Sequence, residues 1–283
     1  FAASNINAVQ ISIFHTIFNL SMTTLLFPFA DVLVKISGMV VKEKAEEPVA
    51  EDAETAATLK HLDERIFESP AFAVETAALE VVHMGQITYE NVVRAIDSVL
   101  TVNSNEVETV FKTEQTINNM EKMLTEYLIK VDNLSLTEKQ KKVVNNLFYS
   151  VSDIERIGDH AENVLGYALQ MKEDKRKFSD KALKNLKELS QAVYKIYDLA
   201  CEHFSNPSEE LYRVIYDLEA DIDKMVDKMR ASNSKRLSKM KCEAVQGLYF
   251  NEILVDLERV ADHSLNIAQA AKKYEIYDED EDL

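Results

Sequence analysis

From Ala71 onward, apolar residues return every three or four positions in six separate stretches, the spacing of helices that bury one face. The spacing predicts helices over about 71–100, 105–130, 137–171, 180–204, 208–237 and 242–274. Turn and cap residues fall between them: Asn103-Ser-Asn105, Asp132-Asn-Leu-Ser135 and Asn206-Pro-Ser208 interrupt the pattern. Ser135-x-x-Glu138 has the form of a capping box. The turn before the last helix has two candidates, around Ser232–Ser234 and around Ser238–Cys242, and alignment with the earlier hairpin favours the later one.

The start of the chain follows a different pattern. Between Ile11 and Val34 apolar residues lie all around the helix, and residues 1–30 contain no Asp, Glu, Lys or Arg. The stretch exceeds the ~20 residues needed to cross a bilayer and predicts a transmembrane helix within residues 1–41. His15, Thr16, Asn19, Ser21, Thr23 and Thr24 would be costly against lipid and are expected to face other helices. With Phe as first residue, this leads to the expectation that the chain is the C-terminal part of a larger membrane protein. Lys35, Lys42 and Lys44 follow the segment and no base precedes it, so everything after it is expected in the cytoplasm.

Beyond Pro70 the chain repeats itself. The run from Asp153 to Asn163, Asp-Ile-Glu-Arg-Ile-Gly-Asp-His-Ala-Glu-Asn, recurs from Asp256 to Asn266 as Asp-Leu-Glu-Arg-Val-Ala-Asp-His-Ser-Leu-Asn, and Glu114 to Asn118 recurs as Glu219 to Asp223. The soluble part therefore reads as two tandem three-helix units, about 71–172 and 179–274. An acidic linker, residues 42–69, precedes them and an acidic tail, 275–283, follows. The fold class is all-α: one N-terminal transmembrane helix, then two three-helix-bundle repeats in residues 70–274.

Composition supports this reading and excludes others. Only 5 Gly and 4 Pro occur in 283 residues, too few to punctuate many short strands. The net charge of -17 argues against a nucleic-acid partner, which needs clustered cations. Cys201 and Cys242 make no disulfide framework and lack zinc-site spacing. There is no nucleophile elbow, Gly-rich phosphate loop or metalloprotease motif, so the expectation is not an enzyme. A di-iron oxidase needs two Glu-x-x-His pairs, and only Glu80-Val-Val-His83 is present. Met120, Met123, Tyr194 and Tyr197 are expected in the core.

The chemistry lies in the repeated acids. Glu155 and Asp159 stand one turn apart, as do Glu258 and Asp262, on an arc separate from the core positions Ile154, Ile157, Ala161, Val164 and Ala168. In antiparallel hairpins Glu114 comes level with Glu155, and Glu219 with Glu258, off the bundle core. Such ladders are commonplace on solvated helix faces, yet like charges one turn apart cost about 0.2–0.5 kcal/mol, and packing alone does not call for two of them at one level. Clustered carboxylates suit hard cations such as magnesium, manganese, calcium or iron, with His160 and His263 as borderline ligands. Arg156 and Arg259 are expected to pair with nearby acids.

At these residues the chain resembles the PhoU family of phosphate-uptake regulators, whose two three-helix repeats each carry an E(D)xxxD metal motif. Glu155-Arg-Ile-Gly-Asp159-His160 and Glu258-Arg-Val-Ala-Asp262-His263 match that motif, and the resemblance covers about residues 71–274. It implies a metal site on Glu114, Glu155 and Asp159 and another on Glu219, Asp223, Glu258 and Asp262, for a divalent or ferric ion: iron, manganese, magnesium or zinc. Asn118 stands where the second repeat has Asp223, so the second site is expected to bind more tightly. His15-Thr-Ile-Phe-Asn19-Leu and Leu25-Leu-Phe-Pro28-Phe resemble the last membrane segment of bacterial sodium/phosphate cotransporters that end in a PhoU-like domain. That implies a location at the cell inner membrane, the rest of the transporter as partner, sodium and inorganic phosphate as transported ions, and admits a homodimer. A second reading, a membrane-tethered helical docking module without metal, is separated from the first by metal analysis.

Overall fold

The computed structural model describes residues 8–27, 64–101, 106–240 and 242–275. These hold seven α-helices and no strand: α1 (Ala8–Leu26), α2 (Pro70–Thr101), α3 (Val107–Asp132), α4 (Glu138–Glu173), α5 (Asp180–Ser205), α6 (Glu209–Ser238) and α7 (Ala244–Glu275), with a short 3-10 turn at Glu64–Glu68 before α2. All six helices of the repeats begin and end within two residues of the expected bounds. The turn at 103–105, residues 42–63 of the linker and residues 276–283 of the tail lie outside the described residues.

The chain divides into two units between residues 53 and 54, with α1 in the first and the other described helices in the second. In the first unit α1 forms, but no helix among the described residues is long and apolar enough to cross a membrane. The expected transmembrane helix, and with it the inner-membrane location, is corrected accordingly. Freedom from charge is not apolarity: His15, Thr16, Asn19, Ser21, Thr23 and Thr24 dilute the helix, and Thr16 and Thr24 turn their hydroxyls back to donate to the carbonyls of Ser12 and Leu20. Residues 28–41 of the expected span lie outside the described residues.

In the second unit local chemistry sets the helix ends. Thr137, not Ser135, caps α4: its hydroxyl accepts from the Gln140 amide while the Gln140 side chain accepts from the Thr137 N–H. Ser179 and Ser208 cap α5 and α6 in the same way without the reciprocal bond. α6 continues to Ser238, so the later of the two candidate turns is the one used.

The long third helices of the two repeats, α4 and α7, pack against each other at the centre, while α2 lies on α4 and α5 on α7. Their facing sides carry the repeated apolar pattern: Ile154, Ile157, Ala161 and Val164 on α4, Leu257, Val260 and Ala261 on α7, all essentially buried. Each large aliphatic side chain so buried contributes roughly 1.5–3 kcal/mol. Ala168, by contrast, is only partly buried. Met120 and Tyr197 lie in the core, with Met123 and Tyr194 packed at its edge.

Candidate metal centres

The α3–α4 hairpin carries the first cluster. Glu114 on α3 and Asp159 and Glu162 on α4 each offer a carboxylate oxygen, and the three oxygens lie within 4.8 Å of one another. Glu114 is not off the core as expected. It is 1% exposed, and neither of its oxygens has a hydrogen-bond partner. The space it occupies depends on Gly158: a Cβ at that position would stand 2.5 Å from Glu114 Oε2. Burial, and then the charges of Asp159, Glu162 and Glu155, push the Glu114 carboxyl up to about 8. Burial and Asp159 raise Glu162 too.

Glu155 lies outside the group of three but within electrostatic reach. Its carboxyl is raised by burial and then by Asp159 and Glu121, against the lowering influence of Arg156 and His263. Asn118 contributes no carboxylate, and Glu162 supplies the third acid of the cluster.

The second cluster joins Glu219 and Asp223 on α6 to Asp262 on α7, again within 4.8 Å. Burial and the acids Asp223, Asp262 and Glu258 raise the Glu219 carboxyl. Here cations from the chain intrude. Arg230 of α6 donates to Glu258 at 2.6 Å, and Arg259 donates to Asp262 at 2.9 Å. Thus Glu258 is drawn into an ion pair and stands apart from the other three expected ligands, whereas no arginine bonds to an acid of the first cluster among the described contacts.

The two histidines are engaged elsewhere. His160 Nδ1 lies 2.7 Å from Asp256 Oδ1, and His263 Nδ1 lies 2.8 Å from Asp153 Oδ1, a reciprocal pair across the α4–α7 interface. A carboxylate only accepts, so each Nδ1 carries the proton. Asn163 and Asn266 donate to the same aspartates at 3.5 and 3.2 Å, and the two imidazoles stack with centroids 5.6 Å apart. This clasp locks α4 and α7 in register beside Asp159 and Asp262. Asp153 and Asp256 were visible in the repeat as Asp-x6-His-x2-Asn, but the spacing alone did not show that each bonds across to the other repeat. Glu162 was hidden because Leu265 occupies its place in the second repeat, and Arg230 because it lies outside the repeated motif.

The chain is similar to known proteins in sequence and in fold. The PhoU domain family matches residues 81–168 and 186–271, one match in each repeat. A phosphate-specific transport system accessory protein PhoU homolog from Thermotoga maritima is 28% identical over 177 residues, 62% of this chain and 75% of the relative. A second such homolog, from Pseudomonas aeruginosa, is 25% identical over 205 residues, 69% of this chain and 81% of the relative. The crystal structure of PhoU from Pseudomonas aeruginosa superposes with a TM-score of 0.68 at 21% identity, covering 75% of this chain and 99% of that one. The phosphate transport system regulatory protein PhoU from Streptococcus pneumoniae gives a TM-score of 0.66 at 18% identity, covering 73% and 97%.

Proposed function

This chain belongs to the PhoU domain family, and on that premise we propose that it is a regulatory protein of phosphate transport whose first acidic cluster holds a hard metal ion. The relatives it matches along both repeats are accessory proteins of phosphate-specific transport, which supports the regulatory role. Glu114 carries the metal assignment. A buried carboxyl with two unpartnered oxygens, aimed at two further carboxylates, is costly unless a proton or a cation accompanies it.

When bound, a divalent or ferric ion supplies the positive charge that these carboxylates lack. Glu114, Asp159 and Glu162 hold it, with Glu155 contributing charge nearby. An all-oxygen donor set favours iron(III), manganese or magnesium over zinc. Because burial raises Glu114, the empty cluster keeps a proton near neutrality, and loading exchanges that proton for the cation. Holding one ion from both α3 and α4 stiffens the hairpin. Glu219, Asp223 and Asp262 form the weaker site, since Arg259 already pairs with Asp262 and Arg230 draws the fourth acid, Glu258, away. This reverses the order expected from counting acids in the sequence.

The partner in this reading is a sodium-dependent phosphate transporter; the matched relatives are accessory proteins of phosphate-specific transport. Phosphate uptake by cells expressing the intact chain, compared with cells expressing Glu114→Gln, tests the reading. The variant should abolish the regulation of uptake by external phosphate. Normal regulation by the variant would favour the metal-free docking module.

A further inference from the structure

Away from the acidic clusters, a cavity of about 350 Å³ opens at the end of the bundle where the first repeat passes into the second. Its walls are apolar and come from both repeats: Val99 of α2, Leu165 and Leu169 of α4, Leu183 of α5 and Phe178 of the connecting loop. The size is at the lower end of small-ligand sites, roughly 300–1,000 Å³. Its mouth is basic. Lys172, Lys175, Arg176 and Lys177 line it against a single acid, Asp180, on a chain whose net charge is -17.

The loop that carries these cations is held in place. Arg176 forms an ion pair with Glu243, the Lys177 carbonyl accepts from Gln246 at 3.1 Å, and Ser179 accepts from Arg236 at 3.2 Å. Phe178 packs edge-on against Phe250 with centroids 6.4 Å apart. The Phe178 wall and the backbone of the loop are thus preformed, while the Lys175 and Lys177 side chains are exposed at the mouth. Lys175 also has φ 55°, at the position where a helix end favours glycine: Arg176 N–H bonds to the Met171 carbonyl and Lys175 N–H to that of Lys172. Met240 takes the same conformation after α6, so the geometry is not confined to the cavity. At the cavity it keeps a cation where glycine would suit the backbone better.

We propose that this cavity binds a small amphipathic anion, its apolar body lodged between the two repeats and its carboxylate or phosphate-monoester head at Lys175 and Lys177. The apolar walls drive entry, and the basic mouth fixes the orientation and selects the charge. Neither the family resemblance nor the acidic clusters contribute to this site.

Calorimetric titration of the full chain with decanoate, decyl phosphate and decanol, each below its aggregation concentration, tests it. The two anions should bind about tenfold more tightly than decanol, the difference of one charge-assisted hydrogen bond. A preference between decanoate and decyl phosphate identifies the head group. Lys175→Gly should leave the melting temperature of the free protein equal or higher and decanol binding unchanged, while both anions weaken several-fold. Ala168→Phe, which fills the cavity from its α4 wall, should abolish all three titrations with the helical circular dichroism retained. Equal affinity for decanol and the anions would overturn the proposal, as would anion binding unchanged in Lys175→Gly.

Discussion

Replacing Glu114 by Gln removes an ionisable group that the fold holds at an unfavourable pKa. Its carboxyl lies at about 8 in the folded chain against an ordinary 4.5. A raised folded pKa contributes stability that is fully present below 4.5 and is lost as pH rises toward 8, because ionisation then occurs against burial and against Asp159, Glu162 and Glu155. Each pH unit in that window costs about 1.4 kcal/mol, so the penalty is ~3 kcal/mol at pH 7. For a domain of this size that is on the order of 6–12 °C in melting temperature. Gln keeps the volume, cannot ionise, and can donate its amide to the acids it faces. Thermal unfolding of the full chain in excess chelator, from pH 5 to pH 8.5, should therefore give curves for Glu114→Gln and wild type that nearly coincide at pH 5 and separate progressively above it, the variant being the more stable. Subtracting one from the other removes the contribution of the remaining titrating groups. A difference independent of pH, or a wild type that gains on the variant as pH rises, would refute the assignment of Glu114 as a buried, unpaired acid.

Other substitutions test other parts of the account. Gly158→Ala places a Cβ against Glu114 Oε2 and should cost about 1–3 kcal/mol while expelling the carboxylate from its position, read as a lower melting temperature and lost metal retention. Arg230→Gln should free Glu258 and tighten manganese binding at the second cluster by calorimetry, and Asp262→Asn should weaken it; no response to either would remove that cluster from consideration. Asp256→Ala leaves His160 without its partner at the α4–α7 interface and should destabilise by about 1–3 kcal/mol in urea unfolding, with Asp153→Ala giving a matching loss at His263.

The sequence carried most of the fold because helix periodicity and caps are local. Ile154, Ile157, Ala161 and Val164 mark the buried face of α4 without reference to any other helix, and the repeat doubles each such observation. Most of what it leaves out at the candidate site has one cause, that burial and pairing between helices are not local. Ser135 and Thr137 are both plausible caps, and only the backbone geometry chooses Thr137. Glu114 reads as one more surface acid until Gly158 on the neighbouring helix makes room for it beneath the surface. Level counting about the Asn133 turn brought Glu114 opposite Glu155, whereas the oxygens that gather belong to Asp159 and Glu162. In α1 the cause is different: a stretch without charges still carries too many polar residues for a membrane span.

Elemental analysis after metal loading bears most directly on the central claim. The full chain, incubated with iron(III) or manganese and passed through a desalting column, should retain at least one ion per chain; Glu114→Gln and Asp159→Asn should each lose the ion held by the first cluster, whereas Asp153→Asn, in the histidine clasp, should keep it. Retention of no ion by the wild type, or identical retention by the wild type and Glu114→Gln, would contradict a metal centre at the first cluster.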